Sequence, residues 1–372
     1  MRLKSENIGF LVAFLLMLPV ISCNGENGPD DLGIASNLQI IITASTQEPG
    51  KVSVQAQANN AVNYELYILP NTTPFETNTS GSFLLAFTQT GTYEIQIRAF
   101  GSSGKFITGN RTFEVKLPVP VSLGYTTPLV YEGYNLVWND EFAGSALNHN
   151  NWVAEVGDGC PNLCGWGNNE LQFYRAQNAT VSGGTLTIEA RRETVQSRNF
   201  TSARIKTQGL KSFKYGRIDI RALLPVGQGI WPALWMLGNN ITSVGWPRCG
   251  EIDIMEMIGG SGREREVHGT VHWDNNGHSY IGGKYTLPSG IFADQYHVFS
   301  IIWDETKIRW FVNDIRFYEI DITPEHMTEF HQQFFFIFNV AVGGNWPGSP
   351  NAATVFPQQM KVDYVRVFQK QN

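Results

Sequence analysis

The sequence is sparsely charged, has no excess of basic residues and contains few cysteines. Only 16% of its 372 residues are charged, and acidic residues outnumber basic ones to give a net charge of −6. Nucleic acids and anionic membranes are bound by clustered Lys and Arg, so this balance argues against both kinds of partner. Tryptophan is absent from the first 137 residues, although ten tryptophans follow. We therefore expect two different domains, the second of which suits a neutral ligand.

A long apolar run lies at the N-terminus, between residues 8 and 22, after a short basic stretch. It is too short to span a bilayer comfortably, which is typical of a signal peptide. The run ends in Val-Ile-Ser-Cys, which resembles a bacterial lipobox and predicts that residues 1–22 are removed and that Cys23 is lipidated. Residues 23–36, rich in Asn, Gly and Asp, would form a flexible tether. We expect an exported outer-membrane or cell-surface lipoprotein that touches the membrane only through Cys23; an ordinary secreted protein is the alternative.

Three cysteines remain once Cys23 is assigned to the signal. In an oxidising compartment, Cys160 and Cys164 can pair around the Pro-Asn-Leu turn between them. A zinc site is the alternative, but no nearby histidine or second cysteine pair completes four ligands. We therefore expect a disulfide between Cys160 and Cys164, and a small buried thiol at Cys249.

Residues 37–117 consist of short runs in which apolar and polar side chains alternate. In GTYEIQIRAFG, for example, Tyr93, Ile95 and Ile97 share one face of a strand. About six or seven such strands predict a small β-sandwich. The pattern resembles the polycystic-kidney-disease and other immunoglobulin-like modules that precede bacterial polysaccharidases. We expect this domain to act as a spacer, with glycan binding as the alternative.

The remaining chain divides into a linker and a large all-β domain. Residues 118–134 carry three prolines and no clear periodicity, which predicts a semi-rigid linker. Residues 135–372 contain many longer strand patterns, and only the stretch around Pro324 to Phe330 could be helical. So many strands in one domain predict a two-sheet, concanavalin-like β-jelly roll, one face of which can be concave.

The segment CGEIDIMEMIGG carries three carboxylates in an otherwise apolar run. Side chains alternate across a strand, so Glu251 and Asp253 share one face, whereas Glu256 would point into the core. One extra residue near Ile254 and Met255, a β-bulge, turns all three carboxylates to the same face. The two glutamates then lie about 13 Å apart at Cα, at about 3.3 Å per strand step. Converging side chains can close this to the ~5–5.5 Å that a retaining glycosidase needs between its two carboxyl groups.

This segment resembles the Glu-x-Asp-x-x-Glu signature of glycoside hydrolase family 16, in the bulged form of its laminarinase-like members. Other segments between about residues 135 and 370 are also similar to the family, among them GWGNNELQFY, YGRIDIRALLP, GIWPALWMLG, VHGTVHW and NVAVGGNWPG. The resemblance implies a β-jelly-roll endo-glycosidase that acts on β-linked glucans or galactans with retention of configuration. It also implies that Glu251 is the nucleophile, Glu256 the general acid/base, and Asp253 the residue that positions and tunes the nucleophile.

The resemblance further implies a set of residues that hold the sugar chain. Matched by position, these are Trp231, Trp235, Asn168, Arg217, His272 and Trp346. The first two tryptophans share strand parity, so they either stack on sugar together in the cleft or lie together in the core. A guanidinium can fork onto two sugar hydroxyls or a carboxylate, which makes Arg217 an informative member of the set. A plain core histidine is the alternative for His272.

Members of the family often bind a structural calcium ion on the convex side, away from the chemistry. The matching positions are Glu141 and Gly184, through their backbone carbonyls, and Asp363. Asp is disfavoured on a regular strand such as KVDYVRV, which is an independent reason to expect an oxygen ligand for a hard cation at Asp363.

The sequence therefore predicts a monomeric, retaining endo-β-1,3-glucanase that acts on laminarin and needs no cofactor for its chemistry. Mixed-linkage β-glucan and an algal galactan such as agar or carrageenan stay open as substrates. A sulfated galactan would require several Lys and Arg around the cleft, and residues 231–256 contain only Arg248, with two more arginines just beyond. A jelly roll that binds glycan without cutting it is a further alternative, in which the carboxylates would be dispensable.

Overall fold

The computed structural model describes residues 33–45, 48–120 and 122–371. The chain divides after Pro118 into two compact units, and strands dominate both. The predicted signal peptide, the lipidated Cys23 and most of the tether lie outside the described residues. In the described part, no helix is both long enough and apolar enough to cross a membrane.

The first unit is a small β-sandwich of a three-stranded and a four-stranded sheet. Its strands are β1 (Ser36–Ala44), β2 (Lys51–Asn59), β3 (Ala61–Ile68), β4 (Glu76–Asn78), β5 (Ser82–Ala86), β6 (Gly91–Gly101) and β7 (Phe106–Val115). The sheet orders are β1-β2-β5 and β4-β3-β6-β7. Alternation decides which side chains lie between the sheets: Ile95 and Ile97 of β6 are fully buried, whereas Glu94 is exposed.

The second unit is built from strands with very few helical turns. The strands are β8 (Tyr134–Asp140), β9 (Val153–Glu155), β10 (Gln172–Tyr174), β11 (Ala179–Ser182), β12 (Thr185–Ala190), β13 (Phe200–Ser202), β14 (Arg204–Lys206), β15 (Gly216–Leu223), β16 (Ile230–Gly238), β17 (Glu251–Glu256), β18 (Glu266–Asp274), β19 (His278–Thr286), β20 (His297–Trp303), β21 (Lys307–Val312), β22 (Ile315–Asp321), β23 (Phe334–Val342) and β24 (Gln358–Lys370). The helical turns are α1 (Ile241–Val244) and the 3₁₀ turns Cys164–Gly167, Ala176–Asn178, Arg263–Arg265 and Glu325–His331. The last of these coincides with the predicted helical stretch.

Two large sheets pack face to face in the second unit, which confirms the predicted all-β jelly roll. The seven-stranded sheet has the order β19-β18-β17-β16-β23-β14-β9. The eight-stranded sheet has the order β11-β12-β24-β15-β20-β21-β22, with β8 also paired to β24. Buried aromatic side chains such as Trp152, Trp303 and Trp310 fill the space between them. Since β23 lies inside the seven-stranded sheet and is buried on both faces, its sequence is a continuous apolar run, FFFIFNVAV, broken only by Asn339.

The segment predicted to be a linker packs against the eight-stranded sheet. The guanidinium of Arg221, buried on β15, donates to the carbonyls of Leu123 and Tyr125 at 2.9 and 2.6 Å. The guanidinium of Arg366 on β24 donates to the carbonyl of Thr127 at 2.8 Å. These bonds satisfy backbone groups that a mobile linker would leave to water, so the segment belongs to the second unit, which begins ahead of its predicted first residue.

The hydrogen bonds from Arg221 and Arg366 to residues 123–127 predict the effect of truncating the chain. A chain that starts at Val119 should unfold at the same temperature as the second unit of the full chain. A chain that starts at Glu132 lacks the three carbonyls that Arg221 and Arg366 bind, and should unfold about 10 °C lower. Differential scanning calorimetry of both truncations checks this. Equal melting temperatures would mean that the segment is a linker after all.

Candidate active site

The β-bulge predicted from the spacing of the carboxylates is present in β17. On the neighbouring β16, Ala233 pairs with Glu256 and Trp235 pairs with Asp253, so two steps of β16 match three steps of β17. Ile254 is the residue left without a partner in this register. The ladder with β18 is interrupted at the same place. The extra residue restores parity and turns Glu256 to the same side as the other two carboxylates.

The bulge shortens the distance between the two glutamates along the sheet. On β18, Glu251 faces His272 and Glu256 faces His268, which are four residues apart. Five steps along β17 therefore match four steps along β18, as the sequence predicts. Both bulged residues, Ile254 and Met255, are buried in the core between the sheets.

Each catalytic candidate glutamate accepts a hydrogen bond from an indole. The Nε1–H of Trp246 donates to Glu251 Oε2 at 2.9 Å, and the Nε1–H of Trp231 donates to Glu256 Oε1 at 3.0 Å. Trp246 comes from the loop before β17, and Trp231 from the start of β16. An indole N–H is a donor without acceptor capacity, so it stabilises and orients a carboxylate without competing for its proton.

Asp253 lies between the two glutamates and is 2% exposed. The Nε2 atom of His272 lies 3.2 Å from Asp253 Oδ2 and 3.9 Å from Glu251 Oε1. Donor atoms of these three residues lie within 4.8 Å of one another, so among the described residues they form a group that could hold a metal ion. The same contacts allow the imidazole to bridge the two carboxylates.

A cleft of about 890 Å³ opens over the three carboxylates on the seven-stranded sheet. Its walls are rich in aromatic rings: Trp166, Trp231, Trp235, Trp246, Tyr280 and Trp346. Trp346 is 39% exposed and meets Trp231 edge-on, with ring centroids 5.6 Å apart. A cleft with large apolar rings and a few convergent polar groups is suited to a sugar chain, whose faces are apolar and whose edges carry hydroxyls.

Residues 168–366, more than half of the chain, match the family described as Glycosyl hydrolases family 16. The chain is a member of glycosyl hydrolase family 16. It is therefore a glycoside hydrolase, as its sequence predicts.

Named relatives and solved structures agree with this membership. The chain is 43% identical to "Beta-glucanase" of Rhodothermus marinus, over 63% of this chain and 85% of that protein. It is 40% identical to "Glucan endo-1,3-beta-glucosidase A1" of Niallia circulans, over 68% and 40% of the two chains. The structure of the laminarinase catalytic domain of Thermotoga maritima is similar with a TM-score of 0.60 and 45% identity, over 65% of this chain and all of that one. The chain spans only about a third to two fifths of the length of two curated relatives.

Most of the predicted sugar-binding residues line the cleft of this family 16 domain. Trp231 and Trp235 lie there together, since the odd-numbered residues of β16 face the cleft and the even-numbered ones the core. His272 and Trp346 also line it. Asn168 follows the 3₁₀ turn at the cleft wall, and its Nδ2 donates to Glu170 at 3.3 Å.

The prediction for Arg217 is wrong. It lies on β15 of the eight-stranded sheet, on the far side of the core from the cleft. Its guanidinium donates to Asp219 at 2.8 Å, binds Asp314, and lies 4.2 Å from the centre of the Tyr131 ring. The reason is sheet membership: strand parity in YGRIDIRALLP indicates which residues share a face, but not which sheet the strand joins.

Among the described residues that line the cleft, the arginine is Arg204, which was not predicted from the sequence. Its guanidinium lies between two indoles, 4.6 Å from the centre of Trp166 and 4.8 Å from that of Trp235. An ion pair with Glu155 on β9 holds it there. The strand TSARIK is too short to indicate a face, and its neighbours across the sheet are distant in sequence.

Three rings near the nucleophile candidate were not predicted from the sequence. One of them is Trp246, three positions before the segment CGEIDIMEMIGG. His278 and Tyr280 lie on the edge strand β19; His278 Nε2 is 2.8 Å from Nδ1 of His272, and Tyr280 is 69% exposed. The signal that could have found them is the hairpin register, which places Tyr280 opposite His272.

The predicted disulfide is present, and the predicted calcium residues lie at the eight-stranded sheet, opposite the sheet that carries the three carboxylates. Cys160 and Cys164 form a disulfide in the loop before the cleft wall, and Cys249 is a buried free thiol. Gly184 precedes β12, Glu141 follows β8, and Asp363 lies on β24 between its contacts with these two strands. The strand register therefore brings the three predicted calcium residues to one part of the eight-stranded sheet.

Burial raises the pKa of every carboxyl group in the catalytic candidate trio. It raises the pKa of Glu251 to about 8, with the charge of Asp253 as a second cause and His272 opposing. It raises the pKa of Asp253 to about 7. The pKa of Glu256 lies well above its usual value because of burial and the charges of both neighbours. The three groups therefore do not all ionise near neutral pH, and burial together with the charges of both neighbours favours the protonated form of Glu256.

These shifts predict that Glu256→Gln stabilises the protein at neutral pH. Below about pH 4, Glu256 is protonated whether the chain is folded or unfolded, so the substitution should have little effect. As the pH rises through 4.5, the unfolded chain ionises first and the folded state loses stability relative to it. The melting temperature of Glu256→Gln should therefore exceed that of the wild type by a few degrees at pH 7, and by much less at pH 4.

Glu266→Gln is the matched control for this experiment. Burial alone would raise the pKa of Glu266, but the bonded ammonium of Lys284 outweighs it and holds the pKa below its usual value. This substitution should leave the melting temperature unchanged or lower it at pH 7. A rise of equal size in both variants would contradict the shift assigned to Glu256.

Proposed function

We propose that this protein hydrolyses internal linkages of a neutral β-1,3-glucan with retention of configuration. The observation that carries the proposal is the bulge in β17, which brings Glu251 and Glu256 to the same face of one aromatic cleft. The names of the relatives from Niallia circulans and Thermotoga maritima support the choice of substrate. Membership of family 16 supports a double displacement by two carboxyl groups.

In the first step, Glu256 acts as the acid and Glu251 as the nucleophile. The proton that burial keeps on Glu256 passes to the glycosidic oxygen as that bond breaks. The Glu251 carboxylate forms a bond to the anomeric carbon, which gives a covalent glycosyl-enzyme of inverted configuration. The indole of Trp246 holds Oε2 of Glu251, and the other carboxylate oxygen makes the attack.

In the second step, Glu256 acts as the base. Having lost its proton, it removes one from a water molecule that attacks the anomeric carbon from the face the leaving group vacated. The bond to Glu251 breaks, and the second inversion restores the original configuration. The Trp231 indole, bonded to Glu256 Oε1, keeps the carboxyl group in place through both steps.

Asp253 and His272 adjust the charge of the nucleophile. The negative charge of Asp253 raises the pKa of Glu251, whereas His272 lowers it. When Glu251 becomes an ester its negative charge disappears, and an equal charge appears on Glu256, which has given its proton to the glycosidic oxygen.

The charges along the cleft favour a neutral glycan over a sulfated one. Among the described lining residues, Arg204 is paired with Glu155 and Lys284 lies 2.9 Å from Glu266. Burial lowers the pKa of His268, so this ring is neutral near pH 7. A sulfated galactan would bring several negative charges to a cleft whose strong cations already have partners.

Azide rescue tests the two roles separately. Glu251→Ala and Glu256→Ala should each lower the rate of laminarin hydrolysis by about 10³-fold or more while the fold stays intact. With an aryl laminaribioside of good leaving group, azide should give the α-glycosyl azide with Glu251→Ala and the β-glycosyl azide with Glu256→Ala. NMR of the products distinguishes them, and the reverse pairing would exchange the two roles.

The wild-type reaction tests the substrate and the stereochemistry. The first reducing sugar released from laminarin should be the β-anomer, and laminarin should be cut faster than lichenan, agarose or carrageenan. An initial α-anomer would exclude the double displacement. Faster cutting of a galactan would replace the proposed substrate while leaving the chemistry in place.

We also propose that a calcium ion is bound by the backbone carbonyls of Glu141 and Gly184 and by the carboxylate of Asp363. Oxygen ligands of this kind suit Ca²⁺, and the strand register brings these three residues to one part of the sheet. The ion would supply structural cross-linking of three strands. It would take no part in the hydrolysis.

Calcium binding has a readout independent of activity. Calcium should raise the melting temperature and EDTA should lower it, and Asp363→Asn should abolish this response. Asp304→Asn is the matched control, because Asp304 lies in the same unit and its carboxylate also binds an arginine, Arg309, at 2.9 Å. A wild-type melting temperature that is the same in calcium and in EDTA would refute the proposed site.

A further inference from the structure

A buried hydrogen bond links the catalytic bulge to the opposite sheet. The indole Nε1–H of Trp310 donates to the backbone carbonyl of Asp253 at 2.8 Å. Trp310 lies on β21 of the eight-stranded sheet and is fully buried, so this bond crosses the core and has no water to replace it. Asp253 is the last residue of β17 before the ladder is interrupted.

A bulge disturbs the ladder around it, which is why this bond matters. Where two residues oppose one, the regular exchange of backbone hydrogen bonds cannot continue on both sides. A buried carbonyl at such a place needs a donor from elsewhere. The indole of Trp310 supplies that donor to the peptide that joins Asp253 to Ile254, at the point where the strand changes parity.

The residue opposite the bulge has no side chain, which leaves space for this indole. Thr270 pairs with Asp253 and His268 with Glu256, so Gly269 alone faces the two bulged residues. A Cβ atom at Gly269 would lie 2.3 Å from Cδ1 and 2.7 Å from Nε1 of Trp310. The glycine is therefore required by the close approach of the indole, rather than by its backbone conformation.

Trp310 is itself held from the side away from the bulge. The ring of Tyr318 on β22 lies 5.7 Å from that of Trp310, centre to centre. Gly283 on the edge strand β19 gives space to Tyr318, since a Cβ atom there would lie 2.4 Å from its ring. The indole thus has little freedom to shift away from the Asp253 carbonyl.

We propose that Trp310 is a positioning residue for the hydrolysis: its indole N–H fixes the peptide at the bulge and thereby the relative placement of Glu251 and Glu256. It touches no substrate, since it lies beneath the sheet that forms the cleft. Loss of the N–H would let the bulge relax or migrate along β17, and the glutamate pair would lose its alignment. Misplaced catalytic groups lower the rate of the chemical step more than they weaken substrate binding.

The test compares Trp310→Phe with Trp303→Phe. Both tryptophans are fully buried in the same core, and both indoles donate to a backbone carbonyl, that of Phe330 at 3.0 Å in the case of Trp303. Both substitutions remove the same volume and the same kind of hydrogen bond, so they should destabilise the protein similarly. Only the bond of Trp310 reaches the bulge.

For Trp310→Phe we expect kcat on laminarin to fall about tenfold, with KM within about twofold of the wild type. For Trp303→Phe we expect kcat within about twofold of the wild type. Equal losses of kcat in the two variants, or an unchanged kcat in Trp310→Phe, would overturn the proposal. Melting temperatures measured in parallel identify any loss that comes from unfolding.

A second variant keeps the test decisive if Trp310→Phe does not fold. Benzothienylalanine at position 310, introduced by amber suppression, keeps the shape of the indole and lacks its N–H. It should show the same loss of kcat with nearly wild-type stability, and wild-type kcat would overturn the proposal. The inference rests on the proposed hydrolysis, and the wild-type protein separates the two: failure of the wild type to cut any β-glucan would refute the function, whereas an active wild type with active variants would refute only the role of Trp310.

Discussion

The burial of three neighbouring carboxyl groups is the constraint on which the active site depends. Burial raises the pKa of Glu251, Asp253 and Glu256, and neighbouring negative charges add to the rise for the two glutamates, so at least one proton stays in the site near neutral pH. The reaction uses that proton. The indoles of Trp231 and Trp246 and the imidazole of His272 stabilise the carboxylates that do ionise. Burial of the three groups lowers the stability of the fold. It also provides a protonated carboxyl group at a pH where such a group is ordinarily ionised.

The site could be predicted from the sequence where the argument was local. Parity within a single strand, together with the high free energy of a carboxylate in a core, was enough to place the bulge near Ile254 and to group Trp231 with Trp235. Sheet membership is not local, because it depends on pairing between distant segments. Arg217 and Arg204 are 13 residues apart in the printed sequence, yet they lie on different sheets, and no periodicity in either strand distinguishes them.

Contacts between distant segments were equally hidden in the sequence. The packing of residues 123–127 against the eight-stranded sheet depends on two arginines that come about 100 and 240 positions later in the chain. A proline-rich segment without periodicity does not indicate such partners. Gly269 appeared only as one glycine in VHGTVHW. Its meaning becomes visible when Trp310, from the other sheet, is seen to occupy the space where a side chain would lie. In both cases the fold class was predictable and the packing that supports the chemistry was not.

The position of His278 and Tyr280 on β19 has a consequence for how such an enzyme can diversify. The outermost strand of a sheet has one neighbour rather than two, so its residues can be exchanged, or its hairpin lengthened, with little effect on the strands further in. The rings at this margin contact the trio through His272 and, in the case of His278, also through Trp246, which bonds Glu251. Substitutions that suit a different glycan could therefore accumulate on β19, at the edge of the cleft, while Glu251, Asp253 and Glu256 stay unchanged.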